Sequence, residues 1–574
     1  MTYSKNFNDL DYKRLEFDKT KKDIDELINE LKEASSFTTF LTAFKKIIDI
    51  QNEIEEMYDY ADIRNMRDSS DKFYDAEINY WNEFKSKFDS LFLPFYDTIL
   101  NSGYTEELKK FVPTNFFLTI EYQKKVTSAN IAELTSKEQK LKQDYKKLMN
   151  GKVIYNGEEM NISKLAGLLK SNDRSVRKEA SDIYNNYFYE RKSQFDDIFI
   201  RLVEVRKRIS ASLGFDSYID YSLYKLRRFD YDYKDIQEFR DNIRKYISPI
   251  INHLRELQKE NLGLDEITYY DNIFFKSVPK PIYEGEKLLE EFGRIFKSLD
   301  NELYEMFTQL VENNYIDFIA RDNKVGFSIT NYLCKSCIPV ITASYKNTYY
   351  DVTSTSHELG HAFQKYNASI MDKNYIIPSL LKYPTMEIAE MFSYAFVIIM
   401  LSHVDKLFNE KDYNKYCFQA IYDLVNILSY ICLVDEFQES IYGIKKLSDS
   451  LVHDTWLKLS KKYDLEYQNK GNENLESGCY FFRQNHIFLD PFYYIDYAIS
   501  TIGAFSIASS CENDLDVFKR AAEVASYYPI KKLSKNFNFP EPFKEESIKS
   551  LAKKLETKLE EYYKGVEKWI LKKK

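Results

Sequence analysis

The first 93 residues contain neither glycine nor proline; Pro94 is the first such residue and Gly103 the next. These two residues interrupt regular backbone. Proline fixes φ and removes a donor, and glycine admits left-handed turns. The whole chain holds 15 glycines and 12 prolines in 574 residues, roughly 5% against about 12% in an average protein. A sandwich or barrel needs a turn about every 8–12 residues, and a collagen-like or flexible-linker chain needs far more glycine. The chain reads as mainly α, built from long helices.

Periodicity supports this. Phe17 to Leu31 and Phe37 to Tyr60 place apolar residues three and four apart with charges between them, the pattern of an amphipathic helix. Further helical stretches are expected at 62–100, 115–150, 160–190, 175–209 and 235–262. Ser171 or Asn172 is the expected cap of the helix that begins near 174. No repeat of fixed period and no low-complexity linker divides the chain, which suggests one interlocked helical body. One region departs from the helical pattern. Residues 327–333 nearly alternate apolar and polar, and Pro339 to Tyr345 is rich in β-formers. The leading proline suits a strand end or a sheet edge, so a small sheet is expected there.

Composition excludes several function classes. Apolar residues make up 44% and aromatics 16%, enough to build large cores and exclude global disorder. The net charge of −9 argues against nucleic acid as the main ligand, which calls for a basic face. The longest apolar run, tyrosine aside, is Ala395 to Leu401, far short of the ~20 residues of a membrane span. The amino terminus is charged and polar, and six cysteines make no disulfide framework. A cytoplasmic protein with no membrane partner is expected. Cys334 and Cys337 form a lone Cys-x-x-Cys, expected to be reduced strand residues. The lysine-rich carboxyl-terminal helix, with Leu551, Leu555 and Leu559 on one face, is expected to dock on the body.

The chemistry concentrates in Thr353-Ser-Thr-Ser-His357-Glu358-Leu-Gly360-His361-Ala-Phe-Gln364. Residues i and i+4 share one face of a helix, so two imidazoles there can hold one zinc ion. Glu358 can take the proton of a water on that metal. The chain has only six histidines, which makes a chance His-Glu-x-x-His improbable. A catalytic zinc needs a third protein ligand and an open position. Glu387 and Glu390 lie in a strongly apolar downstream stretch, where a carboxylate is costly unless paired or metal-bound. They are about one turn apart, so spacing alone does not choose between them. Near the carboxyl end, His486 precedes Tyr493, Tyr494 and Tyr497. Imidazole and phenol groups are good donors to an oxyanion that develops only in a transition state.

These segments resemble the M3 zinc metallopeptidases, specifically the oligoendopeptidase F branch. The resemblance runs through Thr355–Gln364, Met386–Ser393, Val434-Asp-Glu-Phe-Gln438, His486–Tyr497, Ile63-Arg64 with Phe73–Glu77, and Leu213-Gly-Phe with Tyr218. It spans nearly the whole chain. It implies an elongated, largely helical body with a deep channel between two halves and a small β-sheet beside the zinc-binding helix. Residues 1–200 would form one wall of the channel and residues 201–574 would carry the peptidase site. It implies a hydrolase, a zinc-dependent oligoendopeptidase that cleaves internal bonds of short peptides. The alternatives are a zinc exopeptidase of the same fold and a non-enzymatic helical peptide-binding protein.

In the family the third ligand is a Glu followed three residues later by Ser, which matches Glu390 and Ser393. By the same resemblance, His357, His361 and Glu390 bind one Zn2+ and Glu358 is the general base. His486, Tyr494 and Tyr497 act on the oxyanion, and Tyr493 contacts substrate. The substrate backbone would pair with an edge strand, expected at 340–345 through Ala343 and Ser344. Two departures stand out. Val397 occupies a position where many members carry a Glu, and Lys346–Asp351 replaces a glycine-containing loop. A monomer or a homodimer is expected.

Overall fold

In the computed structural model the description covers residues 5–370, 376, 378–511 and 515–571. Helices dominate, with two small sheets. The glycine-free amino-terminal stretch yields helix α1 (Phe37–Arg67), 31 residues without a break. Ser36 caps it in a reciprocal box with Thr39, satisfying amides that the first turn leaves without partners. Its inner face carries Phe40, Phe44, Ile47, Ile48 and Ile54, all buried. Each such side chain contributes about 1.5–3 kcal/mol when fully removed from water. Several expected helices are shorter than the periodicity suggested. The stretch 62–100 breaks at Asp68 and again at Phe92, and 175–209 breaks at Arg191. The cap near 174 is Asp173, whose carboxylate accepts the Ser175 amide, rather than Ser171 or Asn172.

The chain forms two compact units, each discontinuous in sequence. One comprises residues 1–124, 279–416 and 503–541; the other comprises 125–278, 417–502 and 542–574. Residues 1–200 therefore do not coincide with either unit, because the chain changes unit after Lys124.

The second unit contains a hairpin that periodicity did not suggest. Strands β1 (Lys152–Tyr155) and β2 (Glu158–Asn161) are joined by Asn156-Gly157, with φ of 50° and 80°. Asn-Gly is the usual two-residue hairpin turn; β1 is rich in β-formers, whereas β2 reads Glu-Glu-Met-Asn and gives no strand signal of its own. The carboxyl-terminal helix Glu545–Leu571 buries Leu551, Leu555 and Leu559. Among the described residues one helical stretch, Glu410–Gly443, is long enough and contains a window apolar enough for a membrane span. However, 78% of its most apolar window is buried inside the protein, as in a core helix.

The first unit holds the other sheet. Strands β3 (Ile316–Asp317), β4 (Ile329–Leu333) and β5 (Ile338–Thr342) lie in the order β3-β5-β4. β5 is parallel to β3 and antiparallel to β4. The expected edge strand at 340–345 is therefore the centre of the sheet. The amides of Ile341, Ala343 and Tyr345 donate to the carbonyls of Tyr315, Asp317 and Phe318. Pro339 suggested an edge because it cannot donate. It is tolerated inside because β3 begins pairing only at Ile341, so no neighbour on that side asks for its amide. The Cys334-x-x-Cys337 segment is the turn between β4 and β5, and both cysteines are free thiols. Arg67, at the end of α1, donates to the carbonyls of Asn314, Tyr315 and Ile341 and to the Thr342 hydroxyl. The sheet is thereby tied to the long helix.

Candidate active site

The His-Glu-x-x-His segment lies on helix α2 (Tyr349–Ile370). The Asp351 carboxylate accepts the amides of Lys346 and Thr348 at 3.0–3.1 Å, fastening the preceding loop to the first turn. Helix α3 (Met386–Met400) packs against α2 at unusually close range. Gly360 permits this approach. A β-carbon there would lie 2.9 Å from Ser393 Cα and 2.9 Å from Phe396 Cβ. Ser393 also donates its hydroxyl to the His357 carbonyl at 3.0 Å, tying the two helices together.

The consequence is a cluster of three donors. Glu390 Oε2 lies 3.5 Å from His357 Nε2 and 3.9 Å from His361 Nε2. One ligand atom from each residue falls within 4.8 Å of the others. Tetrahedral bonds of about 2.1 Å would separate ligand atoms by about 3.4 Å, so the spacing fits one metal ion. Glu387 is not in the cluster. It lies in the first turn of α3, where Thr385 donates to its Oε1 at 2.7 Å.

The electrostatics fit the same ion. Burial pushes His357 down to about 4 and His361 well below its ordinary value. Both imidazoles are therefore neutral, the form that ligates metal, and their contacts with Glu390 are not ion pairs. Glu390 Oε2 is buried and accepts no hydrogen bond from any described residue. Burial, and then the nearby Glu358 charge, push this carboxylate up to about 8. A carboxylate oxygen with no donor beside two neutral imidazoles lacks only a cation.

Glu358 is also buried, and burial raises it to about 7. Thr330 on β4 donates its hydroxyl to Glu358 Oε2 at 2.6 Å. This contact crosses 28 residues, and only the pairing of sheet and helix reveals it. Val397 is buried in the apolar side of α3. The Tyr394 ring packs 5.2 Å from that of His357, so His357 is braced by an aromatic face.

Replacing Gly360 by alanine is expected to force α3 outward. Overpacking of this kind costs about 1–3 kcal/mol, and displacing Glu390 should also weaken metal binding. Thermal melting with and without added metal tests this. An alanine variant with wild-type melting and wild-type metal affinity would refute the close-packing account.

His486, Tyr493, Tyr494 and Tyr497 come together in the second unit. The His486 ring stacks 4.5 Å from Tyr494 and lies 5.7 Å from Tyr493 and 5.9 Å from Tyr497. The hydroxyls of Tyr493 and Tyr497 are 3.4 Å apart. The backbone carrying them is clamped by side chains from distant segments. Phe492 has φ +66°, a left-handed conformation costly for a bulky residue. Its amide donates to Gln438 Oε1 at 2.9 Å, and its carbonyl accepts Arg228 at 2.5 Å. Arg228 also pairs with Asp496 at 2.9 Å. Arg206, fully buried and paired with Glu138, donates to the carbonyls of Ile487 and Phe488. In the Asp-Glu-Phe-Gln segment, Asp435 pairs with Arg240 at 2.9 Å and Gln438 holds the strained residue.

Ala343 and Ser344 lie beyond the end of β5 in the first unit. The Ala343 amide is spent on Asp317, and the Ser344 hydroxyl donates to the Val325 carbonyl at 2.7 Å. Thr330, Gln438, Arg228 and the spacing role of Gly360 escaped sequence reasoning. Of these, Gly360 and Gln438 lie within segments that carry the family resemblance.

Residues 7–127 match the family model described as the peptidase M3 N-terminal domain, and residues 167–528 match that described as peptidase family M3. Among solved structures, the chain is similar to an X-ray structure described as an oligoendopeptidase F. Identity is 26% and the TM-score 0.87, over 97% of this chain and 99% of that one. It is similar to PZ peptidase A bound to an inhibitor, with 28% identity and a TM-score of 0.87 over 97% and 99% of the two chains. It is also similar to a protein described as an oligoendopeptidase F from Bacillus anthracis, with 25% identity and a TM-score of 0.83 over 97% and 98%. No curated protein sequence matches it significantly.

Proposed function

We propose, from the premise that this chain belongs to peptidase family M3, that it is a zinc-dependent oligoendopeptidase acting on internal bonds of short peptides in the cytoplasm. The observation that carries the reading is the His357–His361–Glu390 cluster, with Glu358 on the same turn of α2. A bound zinc ion would supply Lewis acidity and lower the pKa of a water to about 7.

The chain's own residues do the rest. His357 and His361 offer neutral Nε2 atoms, and Glu390 offers a carboxylate oxygen that has no hydrogen-bond partner among the described residues. Glu358 accepts the proton of the attacking water as the water oxygen bonds to the scissile carbonyl carbon. It then delivers that proton to the departing amine nitrogen as the C–N bond breaks. Thr330 anchors Glu358 Oε2, which leaves Oε1 to carry the proton. His486, Tyr494 and Tyr497 are proposed donors to the tetrahedral oxyanion, and Tyr493 a substrate contact. This role rests on the family resemblance and on the donor chemistry of the cluster. Because the Ala343 amide is already paired with the Asp317 carbonyl, the strand proposed to pair with substrate backbone is the outer strand β4, in exchange for the hydrogen bond that its Thr330 carbonyl accepts from Tyr383.

The test is a quenched-fluorescent peptide blocked at both ends, assayed with and without chelator. Internal cleavage that stops with chelator and returns with zinc is expected. Turnover only of peptides with a free end would make the protein an exopeptidase. Turnover untouched by complete metal removal would end the zinc reading.

A further inference from the structure

His486 offers a donor only if the correct nitrogen bears its proton. A neutral imidazole has one N–H and one lone pair, and the hydrogen bond at one nitrogen sets the state of the other. Gln484 Nε2 lies 2.7 Å from His486 Nδ1. An amide nitrogen can only donate, so Nδ1 must accept and Nε2 must carry the hydrogen. The orientation of the Gln484 amide is set in turn. Tyr430, in the first turn of helix α4 (Leu428–Gly443), donates its hydroxyl to Gln484 Oε1 at 3.0 Å. Reversing the amide would make this phenol an acceptor, its weaker role, and would deprive its O–H of the Gln484 acceptor. Burial lowers the His486 pKa and favours the neutral form, outweighing the opposing pull of the Asp490 carboxylate, while the facing phenols of Tyr493, Tyr494 and Tyr497 are uncharged.

We infer that Gln484, oriented by Tyr430, is a positioning residue that holds His486 as the Nε2–H tautomer, ready to donate to a developing oxyanion. The inference rests on the reading of His486 as an oxyanion donor. It adds to that reading what keeps the donor in place. With the other tautomer, a lone pair would face the oxyanion and the donor would be lost.

Gln484→Glu tests this in the zinc-loaded protein. A carboxylate can only accept, so it draws a proton onto Nδ1. At low pH the ring is then an imidazolium and Nε2–H still donates. At higher pH the ring loses the Nε2 proton and the donor disappears. The expected result is a falling alkaline limb in kcat, absent from the wild type and approaching about 100-fold, the scale of one lost oxyanion donor. KM should change little. Gln484→Leu, which imposes neither tautomer, should lose less than about tenfold with no new limb. A Gln484→Glu profile of wild-type shape, whether at full or uniformly reduced rate, overturns the inference.

A second measurement needs no variant of Gln484. In the zinc-loaded protein with 15N-labelled histidine, His486 should show a pyridine-type Nδ1 and a pyrrole-type Nε2; the reverse pattern overturns the inference. His486→Ala separates the two levels. Wild-type turnover in that variant would end the oxyanion role of His486, while the nitrogen shifts would still report on the Gln484 hydrogen bond.

Discussion

Glu358→Gln is expected to keep the metal and the fold and to lower kcat by about 10³- to 10⁴-fold, the upper range for a positioned acid–base group. The substitution is nearly isosteric. Thr330 can donate to the amide oxygen as it does to Glu358 Oε2. What is lost is a group that can take a proton. Burial raises Glu358 to about 7, and an amide removes the cost of burying that charge, so stability should hold or rise slightly. Metal content, melting temperature and kcat are the readouts. A folded, metal-loaded Gln variant with wild-type turnover would refute the general-base assignment.

Glu390→Gln and Glu387→Gln are expected to diverge sharply, although the two residues are three apart on one helix. Glu390 contributes its Oε2 to the metal cluster, whereas Glu387 accepts a hydrogen bond from Thr385. Removing the Glu390 charge should cost more than about 100-fold in metal affinity, since even partners outside the ligand set are worth 10–100-fold. Activity at limiting zinc should fall in proportion. The metal-free Glu390→Gln protein should be at least as stable as the wild type, because the buried oxygen without a donor becomes a neutral amide. Zinc should raise the melting temperature of the wild type and of Glu387→Gln but not of Glu390→Gln, following the linkage between binding and stability. Equal zinc-dependent stabilisation in both variants would remove Glu390 from the ligand set.

The helical class followed from the missing breakers, because a 31-residue helix such as α1 needs only an unbroken amphipathic pattern and a cap. The two histidines followed as well, since positions i and i+4 of one helix lie together whatever surrounds them. The sheet was legible as strands but not as an order. Pro339 pointed to an edge, yet β5 is central, because strand order depends on where β3 arrives from another part of the chain. The hairpin at Asn156-Gly157 shows in the sequence only through its turn, since strands of four residues each are too short for alternation to stand out.

Sequence alone therefore determined the helical body, the paired imidazoles and the carboxylate between them. All three are local consequences of period and spacing. Spacing left Glu387 and Glu390 open and only the family resemblance favoured Glu390; the tertiary contact that Gly360 allows between two helices is what brings Glu390 to the imidazoles. Tertiary structure also decided which hydroxyl anchors Glu358, and which side chains from residues 206, 228 and 438 clamp the backbone of 487–492. These contacts join residues from 28 to 282 positions apart. No local pattern encodes such pairs, because each depends on how whole elements pack once their apolar faces are buried.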